Sequence, residues 1–338
     1  MVAGGLSSST GALGPRQELG FALATAVFIG LIAAMAKATG QAYVLFPELG
    51  ALAWVIFIDP KGPWATSPRL LVLTPSLTAL LGVAITRSLP YGPLALGLDV
   101  VGCLLIIRGL RSPIVPAISA GVLPLALGIH GWAYPVSLLV GTGGLALLSR
   151  WRAGRLAPAP TATPPMAEGS PAALDRIESS FAMTPTVPLR RWAGALAVFL
   201  ALGLVLVKLW DSPLVLFPPL LVIAYDMLAL PHHSPWLGRG GAMMVVGTGA
   251  AWAGYGLVAA FGVVPWAAFL AVLITLGLLH LARLTCPPCL GLALLPFVIT
   301  HPNGAYPWQA LTGMACLVAV VTTTEAWFPR SGARELNP

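Results

Sequence analysis

Basic side chains recur at matched positions in two stretches of the chain, and these residue types are suited to binding an anion. The matched cations are Lys37 with Lys208 (208 − 37 = 171), Arg111 with Arg283 (283 − 111 = 172) and Arg108 with His280 at the second offset. The acids do not match, since Glu48 stands opposite Pro219 and Asp99 opposite Ala271. Ionisable side chains among apolar residues are costly and mark a pathway or a pairing. Matched cations without matched acids predict an anion supplied from outside.

Each arginine of the Arg111/Arg283 pair stands directly before a short segment that contains proline, at residues 112–116 and 284–288. Because proline is favoured in the first turn of a helix, a short helix is expected to begin there. A helix N-terminus beside a guanidinium can bind an anion. The alternative is that these arginines, like Lys37 and Lys208 near the ends of apolar runs, reach the lipid headgroups.

Other side chains leave further interpretations open. Tyr134 and Tyr306 lie in an Ala-Tyr-Pro sequence that recurs at the same offset, and they either add hydroxyls to a pore or anchor the chain at the membrane interface. Asp99 and Asp226 lie within or beside apolar runs, so they could couple proton movement to transport. The alternatives are an accessory role in one stretch only or a salt bridge to one of the basic residues.

Cys286 and Cys289 form a C-x-x-C pair, which can be redox active or can bind a soft metal. A membrane thiol-disulfide or metal-handling protein is therefore the alternative function. No further thiol or paired histidine completes a metal set by spacing, and no phosphate-binding loop occurs. We therefore predict no enzyme activity, no cofactor and no metal.

The elements that must position these residues follow from composition. The chain has 338 residues and a formal net charge of +7, with 57% hydrophobic and only 9% charged residues. A soluble domain usually carries roughly 25% charged residues. This composition argues against a soluble enzyme and a nucleic-acid binder, and it predicts an integral membrane protein whose partner is the lipid bilayer.

Apolar runs divide the chain into two similar stretches. Eight long runs begin near Phe21, Leu70, Tyr91, Trp132, Ala193, Met243, Trp266 and Gln309, and four shorter runs bounded by proline lie between them. The expected fold is all-α, a polytopic membrane protein with two homologous halves, each with four transmembrane helices plus two short broken or re-entrant helices.

The expected boundaries are a first membrane repeat at residues 20–150, a Pro/Ala/Arg-rich linker at 151–190 and a second membrane repeat at 191–329. Arginine beside membrane spans is retained on the cytoplasmic side, so linker and termini are predicted to be cytoplasmic in a multi-pass protein of the cell (inner) membrane. If each half crosses the membrane an even number of times, the halves are related by an axis along the membrane normal. If one short run is miscounted, the number is odd and the halves are inverted repeats.

Residues 283–296, which include Cys286-Pro287-Pro288, resemble the signature segment of the HPP family of integral membrane proteins, with cysteine in the place of the motif's histidine. Further similar segments are 112–121, 49–57, 67–69, 79–83 and 231–235. Members typically have one four-helix unit, so the resemblance implies two fused units. It also implies nitrite transport, although no strict His-Pro-Pro occurs and that histidine's role is not carried over.

Together these observations predict a channel or secondary transporter for a small inorganic anion. The expected substrate-binding residues are Arg111, Arg283, Arg108, His280, Lys37, Lys208, Tyr134 and Tyr306. A non-transporting structural or assembly factor is a third interpretation. Association into a homo-oligomer is left open.

Overall fold

A computed structural model describes residues 14–155, 185–231 and 234–327 of the chain. This part is 79% helical and contains no strand. Most of the predicted linker and the two histidines of the segment 231–235 lie outside the described residues.

The α-helices follow one another in chain order and vary widely in length. They are α1 (Pro15–Thr39), α2 (Leu49–Ile58), α3 (Pro63–Thr66), α4 (Pro68–Ser88), α5 (Pro93–Gly109), α6 (Ala117–Leu127), α7 (Ala133–Arg155), α8 (Leu189–Trp210), α9 (Pro218–Ala229), α10 (Gly240–Phe261), α11 (Pro265–Leu281), α12 (Cys289–Leu294) and α13 (Tyr306–Trp327). Short 3₁₀ turns precede α2 and α9 at Ala42–Val44 and Pro213–Leu216, and another follows α12 at Leu295–Phe297.

Five of the described helices, α1, α4, α8, α10 and α13, are long and apolar enough to cross a membrane. Helices α5 and α11 have 17 residues each, and α7 has 23. Large apolar side chains such as Leu31, Leu105, Leu147 and Val245 are exposed on the outer faces of the helices, as expected where lipid replaces water. An all-α membrane protein is therefore confirmed.

Proline lies in or beside each of the short helices α2, α6, α9 and α12, which have 12 residues or fewer. It limits helix length because it supplies no backbone N–H and clashes with the preceding turn. The break before α2 contains Pro47, and α9 begins at Pro218 directly after its own break. Pro124 lies inside α6, and Pro296 lies in the 3₁₀ turn that follows α12. Each of these short helices therefore begins or ends among buried residues inside the bundle.

Contacts at helix ends show which way the first broken segment runs. We call the end of the bundle where α7 finishes and α8 starts the linker end. The Arg152 guanidinium at the end of α7 donates to the carbonyl of Phe57 at 2.8 Å and stacks on the ring of Phe21 near the start of α1. The segment Ala42–Ile58 therefore runs from the far end of α1 back to the linker end. Of the two predicted alternatives, this segment is broken and not re-entrant.

Two helix pairs approach so closely that only glycine fits. A Cβ on Gly82 of α4 would lie 1.9 Å from the Gly121 carbonyl oxygen of α6, and a Cβ on Gly254 of α10 would lie 2.0 Å from the Ala293 carbonyl oxygen of α12. These pairs are related by the same offset of 172 residues as the arginines. In addition, α2 packs on α12, α6 on α9, and α1 on α11. The short helices from both stretches of the chain thus meet in the middle of the bundle.

Candidate functional site

Glu48 lies where the short helices meet. Its side chain is buried, with 1% of its surface exposed, and one carboxylate oxygen, Oε1, accepts a hydrogen bond from the hydroxyl of Ser119 on α6. Gly291 of α12 also borders Oε1, because a Cβ on Gly291 would lie 3.7 Å from it. The other oxygen, Oε2, has no hydrogen-bond partner within the described residues. Glu48 therefore brings an unpaired carboxyl oxygen to a contact between both stretches of the chain.

Local sequence explains the position of Glu48. Pro47 interrupts the helix, and Glu48 is the residue that precedes α2, with its carbonyl accepting a hydrogen bond from the Leu52 N–H at 2.9 Å. The neighbouring surface is fitted closely, since a Cβ on Gly291 would approach Pro219 Cγ to 2.9 Å. Pro219 is the residue that matches Glu48 in the second stretch, so the acid of one stretch lies near the proline of the other.

Asp99 is a second buried carboxyl in the same region. It lies on α5 with 0% of its surface exposed, and its Oδ1 is 3.5 Å from the Cys103 sulfur, whose thiol donates to it. Its Oδ2 has no hydrogen-bond partner within the described residues. A Cβ on Gly121 of α6 would lie 3.0 Å from Oδ1. Asp99 and Glu48 thus both border α6, within two residues of each other along that helix.

The two predicted tyrosines lie in this core, but their hydroxyls are engaged. Tyr134 and Tyr306 are 1% and 0% exposed, and they donate to the carbonyls of Ala120 at 2.8 Å and Leu292 at 2.7 Å. In an uninterrupted helix each carbonyl would accept from the N–H four residues later, where Pro124 and Pro296 have none. Each tyrosine therefore satisfies a carbonyl that proline leaves unpaired. Both tyrosines also lie within electrostatic range of Glu48.

The arginine pair lies elsewhere, at the linker ends of α5 and α11. Arg111 and Arg283 have exposed side chains, and both adopt the left-handed backbone conformation with φ = 49°. The next N–H after each arginine bonds back to the preceding helix, from Ser112 to Ile107 and from Leu284 to Leu279, both at 2.9 Å. This geometry terminates a helix with a left-handed residue, a position that usually favours glycine.

The predicted helix start directly after each arginine is wrong, because residues 112–116 and 284–288 are not helical and the short helices begin only at Ala117 and Cys289. The arginines instead close the helices that precede them. The sequence analysis missed this role, because the left-handed conformation is usual for glycine and not for arginine. A cation at a helix C-terminus also interacts favourably with the helix dipole. The role of the pair in anion binding stays a prediction.

The remaining predicted cations are also peripheral. His280 at the end of α11 forms an exposed ion pair with Glu18 of α1, at 3.2 Å between Nδ1 and Oε1, and Arg108 is exposed at the end of α5. Lys37 lines a cavity of about 260 Å³ at the far end of the bundle, together with Leu45, Val263 and Phe297. Lys208 is exposed at the end of α8. The structure thus brings two of the eight predicted residues, the tyrosines, to the centre.

The C-x-x-C pair is enclosed. Cys286 and Cys289 are both free thiols with 0% exposure, just before and at the start of α12. Within the described part of the chain, no group of three or more His, Cys, Asp or Glu residues could hold a metal ion. This geometry supplies no ligand set for the metal-handling alternative.

The sequence analysis does not single out Glu48 as a site residue, because its match in the second stretch is proline and not an acid. A different feature of the sequence could have identified Glu48. It is an acid that directly follows proline at the start of a short apolar segment, in a chain with few charges.

Comparison with protein-family models, with curated proteins and with solved structures gives no match for this chain. The resemblance to the HPP family therefore stays a prediction from the residues.

Proposed function

We propose that this chain is a membrane transport protein that moves a small inorganic anion through the region where its short helices meet. The observation that carries the proposal is that short, broken helices from both stretches of the chain meet in the middle of the bundle. A polar group lies at one break, the buried carboxyl of Glu48, one oxygen of which has no partner within the described residues. Broken helices near the bilayer midplane, with polar groups at the break, are typical of secondary transporters. Burial of a polar oxygen without a hydrogen bond costs free energy, which favours a functional over a purely structural role for this carboxyl.

The proposal includes two related halves, at residues 20–150 and 191–329, each with four long crossings and two broken ones. Its support is a set of contacts that repeat at one offset: the two tyrosine–carbonyl hydrogen bonds, the two glycine contacts and the two left-handed arginines. Chance similarity of apolar sequences would not reproduce hydrogen bonds at equivalent atoms. The halves would pack around the central region as repeated units do in many transporters.

Charge supports an anion as the substrate. The chain carries a net charge of +7, and four matched cations lie at the linker ends of α5 and α11: Arg108, Arg111, His280 and Arg283. Surfaces of one sign concentrate ions of the opposite sign. At the far end, Lys37 is the one charged residue among the described residues that line the cavity beside α11. Nitrite is the anion that the resemblance to the HPP family implies.

The test is flux of a panel of anions, including nitrite, nitrate and chloride, into liposomes that contain the purified full chain. We expect Arg111→Asn and Arg283→Asn to reduce flux roughly tenfold, because clustered charge raises local ion concentration and association rates by about 10- to 10³-fold. Asparagine tolerates the left-handed conformation, so the turns should persist.

Arg69→Asn is the matched control, because Arg69 is exposed at the linker end of α4 but has no basic match, the corresponding residue being Gly241. We expect wild-type flux from it. Unchanged flux in both substituted arginine variants would refute their role. Absence of flux for every anion under any gradient would refute the transport function itself.

The proposal places the protein in the cell (inner) membrane with the linker and both termini in the cytoplasm. Its support is the arginine content of residues 150–191, since basic loops are retained on that side. A cytoplasm-dependent reporter fused to the C-terminus should be active, and an inactive reporter would contradict this orientation.

A further inference from the structure

Two buried carboxyls remain without a cation. Glu48 and Asp99 are each almost completely buried, and each has one oxygen without a partner in the described residues, Oε2 and Oδ2 respectively. Neither carboxyl takes part in the exposed ion pair of His280 with Glu18 at the surface. Taking an uncompensated charge out of water costs several kcal/mol in real proteins. Such groups need a proton or a cation, and both occur where a chain handles ions.

We propose that Glu48 and Asp99 are the sites that bind the protons accompanying the anion, one on each side of helix α6. This inference rests on the proposed transport function. Proton binding forms an O–H bond at Glu48 Oε2 or at Asp99 Oδ2, and release breaks the same bond, so each carboxyl alternates between neutral and singly negative. One proton that binds in turn at the two carboxyls and crosses with one monovalent anion moves no net charge through the apolar centre.

The geometry places the two carboxyls around one short helix. Ser119, which donates to Glu48, and Gly121, which borders Asp99, are two residues apart on α6. Residues two apart on a helix point in nearly opposite directions, since each residue turns the helix by roughly 100°. Between them, the Ala120 carbonyl accepts the hydroxyl of Tyr134, which lies in electrostatic range of both carboxyls. The Tyr134 hydroxyl is thus bound to the same short helix that both acids border.

Within the described residues, the hydrogen-bond partners of these acids carry no positive charge. Glu48 accepts from the Ser119 hydroxyl, and Asp99 accepts from the Cys103 thiol. The nearby phenols of Tyr134 and Tyr306 donate to backbone carbonyls. Neutral hydroxyl and thiol donors can stabilise either a carboxylate or its acid, which suits sites that change protonation. A fixed lysine or arginine would hold each acid permanently ionised.

The arrangement belongs to the first stretch of the chain. The residues that match Glu48 and Asp99 are Pro219 and Ala271, and neither can bind a proton. The duplicated framework thus repeats its tyrosines, glycines and arginines while these two acids occur once. We therefore expect one of the two related halves to hold both proton sites.

The first experiment measures proton binding without any substrate. An infrared pH titration of the full chain in lipid follows the C=O band of protonated carboxylic acids. We expect Glu48→Gln and Asp99→Asn each to remove a component of this band, because both substitutions keep side-chain shape but cannot bind the proton. The matched control is Asp211→Asn, an exposed acid in the left-handed conformation, which asparagine accepts. A band unchanged in both Glu48→Gln and Asp99→Asn would overturn the proposal.

The second experiment measures proton movement in liposomes with an enclosed pH-sensitive dye while an anion gradient is imposed. We expect Glu48→Gln and Asp99→Asn to reduce anion-driven proton uptake by about a hundredfold, the lower end of what a positioned proton-transferring side chain contributes. Asp211→Asn should retain wild-type uptake. Size-exclusion profiles identify variants that fail to fold, and the wild-type infrared titration still tests the sites in that case.

The two proposals fail in different ways. Anion flux without proton uptake in the wild-type chain would leave the transport function standing and overturn the proton sites. Titration of the two band components without flux of any anion would support the proton sites and refute anion transport.

Discussion

The hydrogen bonds from the buried tyrosines to the proline-freed carbonyls make the sharpest stability prediction. Tyr134→Phe and Tyr306→Phe each remove a hydroxyl that lies 2.8 or 2.7 Å from its acceptor in a fully buried site. The carbonyl then has neither the hydroxyl nor an N–H from the residue four positions later, which is proline. Leaving one buried polar group unsatisfied costs about 1–3 kcal/mol. The two hydroxyls donate to different carbonyls, so the double variant should lose more than either single variant.

The assay is chemical or thermal unfolding of the full chain in detergent, with the free energy of unfolding compared between variants. Tyr255→Phe is the matched control, because Tyr255 is half-buried on α10 and its hydroxyl makes no hydrogen bond within the described residues. It should change the free energy of unfolding by less than about 0.5 kcal/mol.

A double-mutant cycle separates the missing hydrogen bond from loss of packing. In a Pro124→Ala background, residue 124 regains an N–H that can donate to the Ala120 carbonyl, so Tyr134→Phe should cost about 1 kcal/mol less than in the wild-type chain. Equal costs in both backgrounds would refute the explanation that the tyrosine replaces a donor lost to proline.

Two further predictions concern packing and helix ends. Gly254→Ala should destabilise the protein by about 1–3 kcal/mol, because the added Cβ would lie 2.0 Å from the Ala293 backbone oxygen and the helices must move apart. The control Gly256→Ala on the same helix should be neutral or stabilising, because its Cβ meets nothing within 4 Å. Equal melting temperatures for the two variants would contradict the close approach of the helices. Arg152→Leu removes the donor to the Phe57 carbonyl and should lower the free energy of unfolding by about 1–3 kcal/mol in the same assay. Arg152→Lys retains a donor on a long side chain and should recover part of that loss. Equal stability of the two variants would argue against the hydrogen bond.

The helices were predictable from the sequence because their signals are local. A run of about 20 apolar residues specifies a membrane helix, and proline specifies its breaks, so the long and short elements follow from composition and spacing. The direction of the segment Ala42–Ile58 was not predictable, because it depends on where Arg152 of α7 meets Phe57. Sequence patterns place residues on elements but do not fix the contacts between distant elements.

The same limit explains the candidate site. Ser119 lies 71 residues after Glu48, and no spacing rule relates the two. Comparison of the matched stretches favours residues that repeat, and it selected the tyrosines, which make equivalent hydrogen bonds to carbonyls. It passed over Glu48 because the matching residue is Pro219. The arginine turns were missed because left-handed backbone conformations are rarely predicted for a residue with a Cβ.

The packing of α1 on α11 has a consequence for how the chain is made. The first helix enters the membrane long before its partner at Pro265–Leu281 has left the ribosome. During that interval one face of α1 must be covered by lipid or by the insertion machinery. The packing surface for α1 on α11 forms only when most of the polypeptide has been synthesised. Helix α1 therefore reaches its final packing late in assembly, although it is synthesised before the other helices. Truncation after α7 would therefore remove the surface of α11 on which α1 packs, even though every residue of the first stretch would be present.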